Sequence, residues 1–372
     1  MIYLDSAATT LQKPPTVYRA VRSAMATMTS PGRGTYGPAA RASRTLLACR
    51  EAAAALFQVD QPEQVVLTFN ATHGLNLAIH SLVRPGATVL LSGYEHNAVT
   101  RPLAAIPELR LRVVRAPMFC PDLFLEALEH QLNRGVDVVI CTHVSNVFGY
   151  ALPVEEVANL CRQRQVPLIV DASQSAGVLP VTMQAWGAAF VAMPGHKSLY
   201  GPQGTGLLLC REGGEPLLRG GTGSLSRQPE MPDFLPDRLE AGTHNVPGAA
   251  GLLEGLRFLR RRGIAAIRRQ ETALVAQLAR GLDRLPGVQV YAAWGKGCQT
   301  GVLSFRVAHR DPGWVADALS QRGVAVRAGL HCAPLAHATG GTEATGTVRV
   351  SVSAFNTSGE VERFLKHMAR LG

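Results

Sequence analysis

Between residues 60 and 210, short apolar or β-branched runs recur along the chain. They are QVVLTF (64–69), ATVLLSG (87–93), LRVVRA (111–116), VDVVICTHVS (136–145), PLIVDAS (167–173), AAFVAMP (188–194) and GTGLLLC (204–210). Most are separated by stretches of helical periodicity such as LFLEALEHQL and VEEVANLCRQR. Near-continuous apolar strands alternating with helices predict an α/β fold, a mostly parallel seven-stranded sheet with helices on both faces. From about residue 250 the pattern changes. A long helical region (248–283) leads to GVQVYAA, GVLSFRV, a helix at 312–322, VAVRAG, TVRVSVS and a last helix at 358–370. This reads as a smaller α+β domain, formed by 251–372 with 1–14, beside a large domain over 15–250.

The 372 residues exceed a usual single core, in keeping with two domains, and 47% hydrophobic with 17% charged residues is the composition of a soluble globular chain. No stretch is long and apolar enough to span a bilayer, and MIYLDSAATT lacks the basic and apolar regions of a signal peptide. The expected location is the cytoplasm. A formal charge of +10 brings nucleic acid into consideration. The arginines are dispersed, however, and the one dense run, RFLRRRGIAAIRRQ (257–270), alternates them with Leu, Ile and Ala as the solvated face of an amphipathic helix does. No nucleic-acid-binding motif accompanies it. Seven scattered cysteines without a CxxC pair exclude a disulfide framework and a structural zinc site, and no metal site is expected.

In a parallel sheet, ligands bind outside the carboxyl ends of the strands. Polar residues stand there in five places: Thr72 after VVLTF, His96 after VLLSGYE, Asn146 after VVICTHVS, Asp171 with Gln174 after PLIVD, and Lys197 after AAFVAMP. Singly they are unremarkable, since an Asp at a strand end is commonly a helix cap and a Lys commonly a snorkelling surface residue. Together they suit pyridoxal 5′-phosphate (PLP). Its aldehyde takes a lysine, its ring nitrogen a carboxylate, its phosphate a helix N-terminus with hydroxyls, and its ring face a planar cover.

Eight ordered motifs make the match specific: LDSAATT, EHNA, HVSNVFG, VDASQSAG, GHKSLYGPQGTG, EAGTHN, RAGLHCAP and GTVRVS. From residue 3 to 357 the chain resembles class V aminotransferase-family enzymes of PLP fold type I, most of all the cysteine desulfurase and selenocysteine lyase group. The resemblance implies Lys197 as the Schiff-base lysine, Asp171 as the pyridinium partner and Gln174 as donor to the ring phenolate oxygen. It implies His96 stacked on the ring and handling protons. Thr72, the backbone at Ala71, and His196 match phosphate ligands. Thr243 matches a threonine that reaches the phosphate of the other subunit, which implies a homodimer. Asn146 and Ala8 match positions against cofactor or substrate. Pro194 and Ala71 depart from the pattern, since relatives often carry hydroxyl residues there, so fewer phosphate bonds are expected.

Two features bear on the reaction. Arg349 lies within an apolar strand, where its fork suits either a substrate α-carboxylate or an internal acidic partner, and Arg327 is a second candidate for the carboxylate. Cys332 lies in RAGLHCAPLAHATGGTEATG (327–346), a Gly-, Ala- and Thr-rich stretch that reads as an exposed loop. It falls on the nucleophile of cysteine desulfurases, with His331 beside it either to favour the thiolate or to shape the loop. The resemblance then implies conversion of L-cysteine, or L-selenocysteine, to L-alanine, with a persulfide on Cys332 for a protein sulfur acceptor. RAGLHC resembles the group II branch with a short cysteine approach. The competing reading is another class V lyase or aminotransferase in which Cys332 is incidental.

Overall fold

The computed structural model describes residues 1–32 and 34–371. All seven apolar runs form one sheet. From one edge its strands are Val65–Thr68, Gly206–Cys210, Phe190–Pro194, Leu168–Asp171, Val138–Thr142, Thr88–Leu91 and Arg110–Val113. Gly206–Cys210 runs antiparallel to both neighbours; every other pairing is parallel. Along the central strands, alternate residues enter two different cores. Val138 and Ile140 join the cluster that holds Leu75 and Val99, while Val139 and Cys141 join the cluster that holds Phe124 and Val157. With both faces dry, such strands are apolar up to their last residue, and the runs look continuous.

The C-terminal pattern forms a separate antiparallel sheet, ordered Arg327–Gly329, Thr347–Ser351, Val302–Val307 and Val288–Tyr291, over its own core. VAVRAG divides: Val324–Ala325 pairs with the N-terminal strand Ile2–Tyr3, and Arg327–Gly329 pairs with Thr347–Ser351. The helical region 248–283 is two helices, Val246–Arg262 and Ile264–Asp283, broken at Gly263 with φ +81°. Arg257, Arg260, Arg261, Arg268 and Arg269 face solvent, while Leu256, Leu259 and Ile267 are buried, so the basic run is the wet side of packed helices. No helix among the described residues is long and apolar enough to cross a membrane.

One buried ion pair ties the EAGTHN segment to the sheet. Arg50, on helix Gly37–Phe57, meets Glu240 through two parallel bonds of 2.7 and 2.6 Å. Glu240 also accepts the Leu67 N–H (2.5 Å) and contacts His244 Nε2 (2.5 Å). Burial pushes the Glu240 carboxyl up, but Arg50 and His244 outweigh it and hold it below the usual range. Removing one partner of such a pair strands the other in the interior. Glu240→Ala is expected to destabilise the fold by roughly 3–5 kcal/mol, read as a lowered denaturation midpoint, and the double change Arg50→Met with Glu240→Leu by much less.

Candidate active site

The parallel strands end on a single cavity of about 230 Å³. Thr72, His96, Asn146, Asp171, Gln174 and Lys197 all line it, joined by Ala8, Ala71, Pro194 and His196. Each arrives by its own strand or by the turn that follows one. Asn70 caps helix Ala71–Leu82 by accepting the His73 N–H, so the N–H groups of Ala71 and Thr72, in a first turn that has no intrahelical acceptors, open this helix at the cavity.

Two glycines bring the lysine in. Gly195 lies so close to Thr205 that a Cβ would come within 2.1 Å of its hydroxyl oxygen. Gly177, with φ +91°, packs its Cα where a Cβ would stand 2.2 Å from the Ser198 carbonyl. Gly177 thus seats VDASQSAG on GHKS, and Gly195 seats GHKS on the Thr205 turn, with the Asp171 and Lys197 side chains in one cavity. The His196 carbonyl is held from the N-terminal segment by the Thr10 N–H (3.2 Å), the Thr10 hydroxyl (3.0 Å) and Lys13 Nζ (2.7 Å).

Burial lowers the Lys197 pKa to about 8; Asp171 opposes that shift and Arg349 adds to it. The neutral amine is therefore more accessible near neutral pH than that of an exposed lysine. Asp171 Oδ1 accepts the Ser173 N–H at 2.9 Å. Gln174 Nε2 donates to the Ala7 carbonyl at 2.9 Å and keeps one further hydrogen. His96 Nδ1 accepts the Ala98 N–H at 3.0 Å, which puts the ring proton on Nε2. Burial, then the Lys197 cation, lowers the His96 pKa, so the ring is neutral. His196 is pushed down to about 4 by burial, with Lys197 and Lys13 adding to it, and its Nδ1 lies 3.0 Å from the Thr9 hydroxyl.

Cys332 is not in this cavity but in an adjoining one. An outer cavity of about 430 Å³ is lined by Cys332, Asn76, Asn97 and Arg101, and it shares Thr72, His96 and Ala98 with the inner one. The two cavities adjoin at these three residues. Among the described residues, Cys332 alone of the seven cysteines is exposed. Its surroundings are more ordered than a loop. The stretch 327–346 begins as strand Arg327–Gly329 and contains helix Pro334–Thr339, and the cysteine sits on the tight turn between them. His331 and Cys332 both adopt left-handed backbone, φ +49° and +55°. The turn is pinned by the Asn97 N–H on the Cys332 carbonyl (2.7 Å) and by Asn146 Nδ2 on the His331 carbonyl (2.8 Å).

Three expectations meet a different arrangement. The His331 side chain turns inward onto Thr347, with Nε2 3.2 Å from the Thr347 hydroxyl, and burial and then the Arg349 charge push it down to about 2. A ring kept neutral in this way supplies no cation to the Cys332 thiolate. Arg349 makes an internal ion pair: Nη2 donates to Asp5 Oδ1 and Nη1 to the Asn146 carbonyl, both at 2.9 Å, while Nε has no partner. Arg327 also pairs with Asp5, at 2.9 Å, and neither arginine lines the cavity. Thr243 is exposed and lines a different pocket, with Phe69, Glu240 and His244, in keeping with a residue that does not serve its own chain's cavity. Asp5 and Arg101 went unnoticed in the sequence. The only hint of Arg101 is its position one helical turn beyond Asn97.

The class V aminotransferase family model matches residues 2–364. The chain belongs to the class V aminotransferase family. Within this family, a probable cysteine desulfurase of Methanothermobacter thermautotrophicus is 32% identical over 97% of the chain and 92% of the relative. One of Xylella fastidiosa is 33% identical over 100% and 91%. Among solved structures, the apo cysteine desulfurase of Thermococcus onnurineus superposes with a TM-score of 0.92 at 32% identity, covering 100% of this chain and 94% of that one. The cysteine desulfurase CsdA of Escherichia coli gives 0.87 at 26% identity, covering 99% and 94%.

Reductive methylation with formaldehyde and cyanoborohydride, small enough to enter the cavity, is expected to modify Lys197 with a pH midpoint near 8. Because Asp171 raises the Lys197 pKa, Asp171→Asn should move that midpoint to lower pH. Peptide mass spectrometry across a pH series measures both.

Proposed function

We propose that this class V enzyme is a PLP-dependent cysteine desulfurase. The observation that carries the reading is Cys332, an exposed thiol on a pinned turn in the cavity that adjoins that of Lys197. The inner cavity fits the cofactor by its donors and acceptors. Asp171 offers a carboxylate to the ring nitrogen, Gln174 a free amide hydrogen to the ring oxygen, and His96 a neutral ring. Ala71, Thr72 and His196 offer N–H, hydroxyl and imidazole to the phosphate, and Pro194 offers neither N–H nor hydroxyl. When bound, PLP supplies an aldehyde that condenses with amines and a ring that withdraws electrons from the substrate α-carbon.

The protein's own groups do the rest. Lys197 Nζ, its pKa lowered by burial, takes the substrate's α-proton and returns one to carbon. His96 Nε2–H faces the same cavity as a proton donor. The Cys332 thiolate bonds to the substrate sulfur as the carbon–sulfur bond breaks, and the carbon keeps that electron pair and takes a proton. The products are L-alanine and a Cys332 persulfide, ready for a protein acceptor. Asn146 in the cavity wall, and behind it the unpartnered Arg349 Nε–H, are the donors assigned to a substrate carboxylate. The same steps would serve L-selenocysteine, with selenium in place of sulfur.

Incubation with L-cysteine tests the reading. Wild type loaded with PLP is expected to release alanine, and sulfide in the presence of a reductant. Cys332→Ala should take up PLP normally and lose at least 100-fold in alanine release, the scale of a removed nucleophile (about 10² or more). Alanine release by Cys332→Ala at the wild-type rate would leave a class V chemistry in which the cysteine is incidental.

The same proposal makes the enzyme a homodimer, with Thr243 serving the partner's cofactor phosphate. Light scattering should give twice the 39.7 kDa chain mass. Thr243→Ala should weaken PLP retention without moving the melting temperature. A fully active monomer would contradict the assembly.

A further inference from the structure

Arg327 and Arg349 stand directly opposite one another across the antiparallel pair Arg327–Gly329 and Thr347–Ser351. Like charges at opposed positions of a sheet repel and destabilise it. One carboxylate lies between them. Asp5 Oδ1 accepts Arg349 Nη2 at 2.9 Å, and Asp5 Oδ2 accepts Arg327 Nη2 at 2.9 Å and Nε at 3.1 Å. Arg349 is 2% exposed, and its Nε–H is buried without a partner. Two cations and one anion leave the trio with a charge of +1, and a single ligand carboxylate brings it to zero.

Asp5 also shapes the cavity wall. Its backbone carbonyl accepts the Ala8 N–H at 3.0 Å, closing the turn that carries Ala8 into the cavity and Ala7 onto Gln174. Through Arg349 Nη1 and the Asn146 carbonyl the trio reaches the residue that pins the Cys332 turn.

We propose that Asp5 is the positioning residue of the carboxylate subsite, holding Arg349 and Arg327 as one unit of charge +1 that takes one carboxylate of an amino-acid substrate. The proposal rests on the amino-acid chemistry proposed above, but its test does not need turnover. In PLP-loaded enzyme, the change in cofactor absorbance on titration with L-alanine gives a Kd. Asp5→Asn keeps the side-chain shape and removes the charge that aligns both forks. Its Kd for L-alanine is expected to rise roughly tenfold, the scale of a lost charge-assisted contact, with cofactor content unchanged. Asp5→Glu keeps the charge, displaced by one methylene, and should fall between wild type and Asp5→Asn. With L-cysteine as substrate, KM should rise while kcat changes by less than about threefold; a merely structural role would lower cofactor content and melting temperature instead.

An unchanged Kd in Asp5→Asn would overturn the proposal. So would a tightened one, which would make Asp5 a competitor for the fork, and so would a wild-type enzyme that binds no amino acid. Should Asp5→Asn not fold, Asp5→Glu decides alone, with an unchanged Kd overturning the proposal. A wild type that binds L-alanine but releases none from L-cysteine would sink the desulfurase reading and leave the Asp5 test standing.

Discussion

Burial of the central sheet on both faces governs the rest of the structure. When alternate side chains of Val138–Thr142 and Leu168–Asp171 enter two dry cores, neither face has room for polar chemistry. The strand ends are what remains, and because the central strands run parallel, their ends fall on the same rim. The sheet thus forces residues that are far apart in the chain into one cavity, and it desolvates them there. That desolvation pulls Lys197 down to about 8 and keeps the His96 and His196 rings neutral. Fold and acid–base behaviour follow from the same cause.

Those parts of the site were legible because apolar runs announce their own ends. A reader who knows only that parallel strands present their carboxyl ends together can place Thr72, His96, Asn146, Asp171 and Lys197. The same logic fails wherever the relevant partner is remote or the composition misleads. Nothing in LDSAATT announces that Asp5 will meet an arginine 344 residues away. Helix Pro334–Thr339 hides in a stretch whose glycines and threonines suggest irregular backbone, and Gly263 breaks what reads as one helix. His331 sits beside Cys332 in sequence, yet left-handed backbone at both residues sends the two side chains to different environments, one buried and one wet.

Charge in this protein is handled in two ways. Most of the arginines behind the net +10 are solvated and dispersed on helix faces. The two buried arginines among the described residues are each joined by a carboxylate, Arg50 by Glu240 and Arg349 by Asp5, through bonds below 3 Å. The first pair is balanced, with His244 adding a further contact, and anchors an exposed segment. The second carries Arg327 as well and touches Asn146 of the cavity wall, so it retains an excess of positive charge beside the cavity.

The union of Asp5 with Arg349 also sets an order of events during synthesis. All strands of the central sheet have been synthesised by residue 210, ahead of the C-terminal sheet. Residue 5 must then wait for most of the chain before its partners at 327 and 349 exist, and Leu4 waits for Ser351. Closing a loop of that length carries a large entropy cost, which the C-terminal sheet has to overcome as it docks. A nascent chain in that interval has its lysine before these two arginines. The Asp5 trio is complete only when the first few residues of the polypeptide meet its last eighth.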